Sequence, residues 1–131
     1  MVLVDAPIWS EFFRRGTPRA DVAAELRRLV EEGEALLVGP VRQEILSGIG
    51  NAKHFEKLRG ALRGFRDAPL VTGDYDLAAA MFNRCRAEGV QGSNTDFLIC
   101  AVSERLEAPV FTLDQDFLAF QKILGIQLHP E

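Results

Sequence analysis

Apolar residues along the chain follow two patterns, short uninterrupted runs and longer stretches with a helical period. Runs rich in valine and leucine at 1–5 and 36–38, and a similar one at 110–112, predict three short buried strands. Between these runs, apolar positions recur every three or four residues, which predicts amphipathic helices. The predicted helices are 8–14, 21–32, 41–46, 54–65, 74–88, 95–106 and 117–124.

Strands that alternate with helices predict a parallel sheet, because parallel neighbours need long crossover connections and helices supply them. The predicted fold class is therefore α/β, a three-layer α/β/α sandwich with a short central parallel sheet. A last strand at 126–128 would add an edge, and the helix 95–106, apolar nearly all round, should be central and buried. A chain of 131 residues has room for one core, so residues 1–131 are predicted to form a single domain.

The apolar runs also bear on where the protein works. None approaches the roughly 18 residues that a membrane-spanning helix needs, and Asp5 stands where a secretion signal would still be apolar. Cys85 and Cys100 lack the close spacing of a zinc site and the density of a disulfide scaffold. We therefore expect a cytoplasmic protein with no membrane association.

Charge is unevenly distributed along the chain. The net charge of −4 argues against a protein that binds nucleic acid by bulk charge alone. Residues 14–66 nevertheless hold eleven basic and seven acidic residues, net +4, and the remaining residues are net −8. A basic region is thus separable from an acidic one, although charged helical faces are commonly no more than solvated surface.

Two aspartates follow predicted strands. Asp5 ends the first strand, and Asp114 comes shortly after the strand at 110–112. Ligands of open parallel sheets bind in the crevice outside the carboxyl ends of the strands. Both side chains are therefore predicted to enter the same crevice.

Two predicted helices supply further carboxylates. Ser93 or Asn94 is suited to cap the buried helix, which places Asp96 in its first turn, where the helix dipole favours a negative charge. Glu44 adjoins the inward face of the helix 41–46 and is predicted to be half-buried. Four carboxylates would then share one rim of the sheet.

Carboxylates gathered in this way call for a cation. Two unit charges about 4 Å apart repel by roughly 4 kcal/mol at an effective dielectric of 20, and oxygen ligands alone favour Mg²⁺ or Mn²⁺. A single aspartate after a strand is, however, most often a helix cap or a turn former. Asp116 is predicted either to bind the ion or to cap the helix 117–124, and capping is the preferred interpretation.

Four segments together resemble the PIN-domain nucleases in order and spacing. They are VLVD at 2–5, VRQEI at 41–45, NTDFLICA at 94–101 and VFTLDQDF at 110–117, and the resemblance covers nearly the whole chain. Within that superfamily, the length and motifs look most like VapC, the toxin half of bacterial and archaeal VapBC toxin–antitoxin modules. The resemblance implies an Mg²⁺- or Mn²⁺-dependent endoribonuclease, usually a homodimer, that is held inactive by a cognate antitoxin.

The resemblance also assigns roles to individual acids. Asp5 matches the family's first acid, Glu44 its second and Asp96 its third. The pair Asp114 and Asp116 matches the fourth, with Asp114 preferred because it lies at a strand end. The implied catalytic set is Asp5, Glu44, Asp96 and Asp114, and the implied metal ligands are Asp5, Asp96, Asp114 and Asp116.

Supporting residues and one departure follow from the same comparison. Thr112 matches the family's hydroxyl residue beside the last strand and is expected to hydrogen-bond within the acidic cluster, with Asn94 as a second supporting residue. The family commonly has Ser or Thr after the first acid, often followed by Ser, whereas Ala6 and Pro7 stand here. A hydrogen bond to the first acid is therefore expected to be missing, which would weaken catalysis without changing the fold.

An RNA substrate requires basic residues as well, because an acidic pocket alone repels phosphates. The basic region identified above is the natural source of these contacts. The residues predicted to contact RNA phosphates are Arg14, Arg15, Arg42, Lys53 and Lys57.

Three other functions are compatible with parts of this pattern. A haloacid-dehalogenase-like phosphatase would need a second aspartate where Pro7 stands, and a receiver-like signalling domain would need a lysine in 113–117, which has none. The third is a PIN-like fold kept only to bind protein or RNA. The departure at Ala6 and Pro7 favours it, whereas intact acids at all four family positions argue against it.

Overall fold

A parallel sheet of three short strands forms the centre of the molecule. The computed structural model describes residues 1–14, 16 and 19–130. In this part of the chain, strands β1 (Val2–Val4), β2 (Ala35–Leu36) and β3 (Val110–Phe111) pair in the order β2-β1-β3. Both pairings are parallel, which confirms the predicted short central sheet.

Seven helices surround this sheet in the described residues, as predicted. Each begins one or two residues earlier than its apolar period suggests, because the first turn of a helix tolerates Gly, Pro and polar residues that carry no period. Pro7 and Pro40, for example, lie in first turns. The helices are α1 (Ala6–Phe13), α2 (Ala20–Glu31), α3 (Gly39–Leu46), α4 (Ala52–Leu62), α5 (Thr72–Ala87), α6 (Asn94–Leu106) and α7 (Asp116–Leu124).

The predicted strand at 126–128 is reduced to one bridging residue. Leu128 pairs in parallel with Val110 at the edge of β3, and the Val110 N–H donates to the carbonyl of Gln127 over 2.9 Å. The pairing does not extend, because β3 is only two residues long and Pro130 has no N–H to donate.

Helix α6 lies in the core, as its apolar sequence predicts. Phe97, Ile99 and Cys100 on this helix are 1% exposed or less, and α6 packs against α5 and β3. The Phe97 ring also lies 4.9 Å from that of Phe120 on α7, measured between centroids. Phe97 lies next to Asp96 in the chain, so the first turn of α6, which carries this acid, is anchored in the core.

An ion pair joins the other end of α6 to the start of α5. Asp74, 1% exposed, accepts hydrogen bonds from Nε and Nη2 of Arg105 over 2.7 and 2.9 Å, and its Oδ2 also accepts from the N–H of Val71. Arg105 donates further to the carbonyl of Pro69.

No helix in the described residues has both the length and the apolar character that crossing a bilayer requires.

Candidate active site

Asp5 lies directly after β1 and caps helix α1. Its Oδ1 accepts the N–H of Ala6 over 2.8 Å, and its Oδ2 accepts the hydroxyl of Thr112 over 2.8 Å. Its own N–H donates to the carbonyl of Phe111 in β3. Because the backbone is held by the sheet and both carboxylate oxygens have donors, this buried side chain has one defined orientation.

Thr112 links two of the predicted acids. Its hydroxyl donates to Asp5 and accepts the N–H of Asp114 over 3.0 Å. One side chain that follows β3 thereby fixes both the carboxylate after β1 and the backbone of the turn after β3. This hydroxyl group adds a side-chain link between Asp5 and the turn to the backbone hydrogen bond between Asp5 and Phe111.

Asp96 lies in the first turn of α6 and is half-buried. Ser93 is the cap of the helix: its Oγ accepts the N–H of Asp96 over 3.1 Å, and its own N–H donates to Oδ2 of Asp96 over 3.0 Å. Asn94, the other predicted cap, is the first residue of the helix, is exposed, and makes no hydrogen bond to the acids in the described part of the chain. Its prediction as a supporting residue is therefore not met by any contact.

The pKa values of Asp5 and Asp96 show that these acids lie near other negative charges. The pKa of Asp5 is raised to about 6, mainly by burial and to a smaller degree by the charges of Asp96 and Glu44, against the lowering effect of its hydrogen bonds. Burial likewise raises the pKa of Asp96, as do the charges of Asp114 and Asp116. The negative charges of the turn after β3 therefore act on Asp96 at the start of α6.

Glu44 differs from its prediction in one respect. It is exposed, whereas the helical pattern predicted a half-buried side chain. Val41 and Ile45 carry the buried face of α3, and Glu44 lies at the margin of that face, from which a long side chain reaches solvent. It remains near enough to Asp5 for its charge to raise the pKa of that group.

The turn between β3 and α7 decides between two roles for Asp116. The preferred interpretation, that Asp116 caps the helix, is wrong: Gln115 holds the cap position, and Asp116 is the first helical residue. The N–H of Asp116 donates to Oδ1 of Asp114 over 2.9 Å, so Asp114 is the aspartate that forms the turn. Asp114 is half-buried and Asp116 is exposed.

Arg42 holds the fold together and does not face solvent as a free cation. Its guanidinium donates to Asp67 over 2.9 Å and to the carbonyls of Leu62 and Phe65 over 2.9 and 2.6 Å. With its donors used in this way, it joins α3 to the segment after α4. The sequence could not show this role, since the partners lie twenty or more residues away, and contact between Arg42 and RNA stays a prediction.

The other predicted RNA contacts flank an apolar groove between α1, α3 and α4. This groove has a volume of about 630 Å³. Arg14, Lys53 and Lys57 lie on its rim, and Arg14 also pairs with Glu11 over 3.3 Å. Arg15 lies outside the described residues. The apolar residues that line the groove, which carry no signal in the sequence because they resemble any core position, are Phe13, Ile45, Ile49, Leu58 and Ala61.

The acidic cluster fits a hard divalent cation in donor type and charge. All its candidate ligands are carboxylates. Burial is the main cause of the raised pKa values of Asp5 and Asp96, and neighbouring negative charges add to it, so a bound cation would stabilise the ionised form of both groups. Within the described residues, no three His, Cys, Asp or Glu side chains converge closely enough to form a ready-made cage. Mg²⁺ does not need one, since it is usually held by one or two carboxylates together with water and substrate phosphates.

Comparisons with known proteins identify the family of the chain. The model of the PIN domain matches residues 2–123. VapC ribonuclease Mb1587 of Mycobacterium bovis and ribonuclease VapC11 of Mycobacterium tuberculosis are each 30% identical to the chain over 131 residues, covering 97% of it and 96% of the relative.

Solved structures share the fold. FitAcB from Neisseria gonorrhoeae has a TM-score of 0.79 at 22% identity, covering 98% of this chain and 96% of that one. FitAB bound to an IR36 DNA fragment gives 0.79 at 20% identity, covering 98% and 93%. The fold and site define a three-layer α/β protein with an acidic crevice at the carboxyl edge of its sheet. The chain belongs to the PIN-domain family and, within it, to the VapC proteins.

Proposed function

We propose that the chain is an Mg²⁺- or Mn²⁺-dependent endoribonuclease and the toxin of a toxin–antitoxin pair. The observation that carries the proposal is that the Thr112 hydroxyl joins Asp5 after β1 to Asp114 after β3, with Asp96 near enough for its charge to raise the pKa of Asp5. Relatives named as ribonucleases, 30% identical over almost the full chain, support RNA as the substrate. A homodimer and a cytoplasmic site of action stay predictions.

Each residue of the site has a role in this mechanism. Asp5, Asp96 and either Asp114 or Asp116 would hold the ion, which when bound supplies an activated water and neutralises charge on the phosphate under attack. Thr112 keeps the first carboxylate oriented through its hydroxyl. Glu44, exposed beside that carboxylate, accepts a proton from the attacking water.

The structure also bears on the alternative of a PIN-like module without activity. That alternative rests on the missing hydroxyl at position 6. The backbone N–H of Ala6 nevertheless donates to Oδ1 of Asp5, and Thr112 supplies the donor for Oδ2. Both oxygens of the first acid are therefore oriented without a side chain at position 6, which favours the enzyme.

Metal removal and loss of Asp96 test the proposed activity. We expect purified protein to cleave RNA in Mg²⁺ or Mn²⁺, to stop in EDTA, and to recover when the ion is restored. Asp96→Asn should lower the cleavage rate more than about 100-fold, since losing a ligand costs more than the roughly 10- to 100-fold loss from changing a residue behind one. The rate is measured on labelled RNA.

An exposed acid provides the matched control for this assay. Asp76→Asn, on α5, removes the same charge from a side chain that has no role in the proposed site and should cleave like the wild type. Cleavage that continues in EDTA, or that survives Asp96→Asn, contradicts the proposal.

The apolar groove between α1, α3 and α4, with basic residues on its rim, is proposed as the surface that binds the antitoxin. Its apolar lining suits the nonpolar face of an amphipathic segment, and Lys53 and Lys57 on its rim favour acidic residues on that segment. Phe13 of α1 and Ile45 of α3 both line it, and these helices also carry or adjoin Asp5 and Glu44. A segment bound there would contact the two helices next to Asp5 and Glu44, and it would compete with RNA for access to these acids.

Charge reversal tests this surface. We expect Lys53→Glu combined with Lys57→Glu to weaken binding of the protein encoded by the neighbouring gene at least tenfold, with a larger loss at low salt because the attraction is screened by ions. Binding is measured by calorimetry with a nuclease-inactive variant. Arg63→Glu combined with Arg66→Glu, exposed at and just after the end of α4 and outside the groove, makes the same change in net charge and is the control. Equal affinity of all three proteins would contradict the assignment.

A further inference from the structure

Two residues ahead of α6 fix how its acid is presented. The N–H of Ser93 occupies Oδ2 of Asp96, while Oγ of Ser93 accepts the N–H of Asp96. Oδ1 of Asp96 has no hydrogen-bond donor among the described residues. The reciprocal pair of hydrogen bonds therefore immobilises one carboxylate oxygen and leaves the other available.

The backbone just before this cap is pinned by aromatic rings. A Cβ added at Gly92 would lie 2.6 Å from Cζ of Phe120, a distance at which one of the two groups must move, and 3.0 Å from Cε2 of Phe97, which is a tight contact. Gly92 is thus in direct contact with α6 through Phe97 and with α7 through Phe120. The N–H that Asp96 accepts belongs to the next residue, so its position is set by the packing of both helices.

This arrangement connects the acids on two different elements. Helix α7 begins at Asp116, directly after the turn formed by Asp114, and Phe120 lies on its second turn. Contact of Phe120 with Gly92, together with the contact between the rings of Phe97 and Phe120, therefore links the start of α7 to the start of α6. The distance from Asp96 to the acids of the turn depends on these contacts.

We propose that Gly92 and Ser93 are positioning residues, which hold Asp96 at the place and orientation required to bind the divalent ion. The inference rests on the proposed function, because it assumes that Asp96 is a ligand. Neither residue touches RNA or the ion; both act through Asp96. Groups that orient a ligand from behind typically change metal affinity by roughly 10- to 100-fold, which sets the size of the expected effect.

Mn²⁺ affinity of the purified full-length protein, measured by electron paramagnetic resonance, tests the role of Ser93. We expect Ser93→Ala to raise the Kd for Mn²⁺ about tenfold and Ser93→Thr, which keeps the hydroxyl, to restore it. RNA cleavage by Ser93→Ala should approach the wild-type rate as the Mn²⁺ concentration is raised. A residue that only stabilised the fold would give no such recovery.

A cap elsewhere in the chain separates positioning from helix stability. Asn51 caps α4, with its side chain accepting the N–H of His54 over 2.9 Å. Asn51→Ala should lower thermal stability about as much as Ser93→Ala and leave the Kd for Mn²⁺ unchanged. If Ser93→Ala also leaves that Kd unchanged, the inference is overturned and Ser93 is a cap only.

Gly92→Ala gives a second, independent measure. The added methyl group must displace the Phe120 ring, so Mn²⁺ affinity should fall at least as far as in Ser93→Ala, and a compensating Phe120→Leu should recover part of it. Unchanged affinity in folded Gly92→Ala overturns the role of Gly92. Wild-type protein that binds no Mn²⁺ would instead overturn the proposed function, and this inference with it.

Discussion

Asp5→Asn should abolish RNA cleavage and at the same time raise the thermal stability of the metal-free protein. The loss of activity follows because an amide is a poor ligand for Mg²⁺, and we expect the rate to fall more than about 100-fold. The gain in stability follows because Asp5 is 5% exposed, and burial together with the charges of Asp96 and Glu44 raises its pKa. The functional carboxylate is thus a cost to the fold when no cation is bound.

The sign of the pH dependence follows from that pKa. The pKa of Asp5 is raised from 3.8 to about 6, so the folded protein binds this proton more tightly than the unfolded chain does. Its contribution to stability is greatest below pH 4 and is lost as the pH rises through 6. A shift of this size corresponds to roughly 3 kcal/mol at neutral pH. Part of this gain is offset in the variant, because an amide nitrogen cannot accept a hydrogen bond and only one of the two donors, the Ala6 N–H and the Thr112 hydroxyl, keeps its acceptor.

Thermal unfolding in EDTA measures this effect. At pH 7.5, Asp5→Asn should unfold about 5 °C above the wild type, and the difference should vanish near pH 4, where Asp5 is protonated in the folded protein. Mg²⁺ should stabilise the wild type and leave the variant unchanged, since a ligand stabilises only the state that binds it. A variant that is less stable than the wild type in EDTA at pH 7.5 would show that Asp5 carries no such cost. Asp76→Asn again controls for the loss of one charge.

The sequence predicts which helices and strands form better than it predicts where each of them ends. Helix α6 could be predicted as buried because its sequence is apolar on nearly every side, and Phe97 and Ile99 are indeed only 1% exposed. The strand at 126–128 was overestimated because a strand depends on its neighbour, and β3 offers only two residues for pairing. Periodicity carries information on burial, whereas the length of a strand depends on hydrogen bonds to residues far away in the chain.

The same distinction applies to the acidic site. Asp5 and Asp114 could be placed from topology alone, because both follow strands whose ends share one edge. Arg42 could not, since its role depends on Asp67, which lies twenty-five residues later. The sequence predicts Ser93 as a cap, because Ser-x-x-Asp is the signature of reciprocal capping. The structure was needed to show that Asn94, the other candidate, is the first helical residue and not the cap.

Arg105→Met should be the most destabilising change away from the acidic site. It removes both side-chain hydrogen bonds to Asp74, a carboxylate that is 1% exposed, and leaves only the N–H of Val71 as its partner. An unpaired buried charge costs far more than the pair contributes, so we expect the melting temperature to fall by at least about 10 °C. Arg105 lies in the last turn of α6, at the far end from Asp96, so activity per folded molecule should be kept.

The acid dependence and a double variant identify the cause of this loss. Hydrogen bonds from Arg105 lower the pKa of Asp74 below 3.8, so in the wild type the ionised pair stabilises the fold at higher pH and that contribution is lost as the pH falls through the lowered value. Without Arg105, protonation relieves the buried charge, and the gap in melting temperature should narrow from pH 7.5 to pH 4. Adding Asp74→Asn to Arg105→Met should recover much of the stability, because the amide oxygen still accepts the N–H of Val71 and no charge remains. A double variant as unstable as Arg105→Met alone would mean that the packing of the arginine, and not the charge of Asp74, joins α5 to α6.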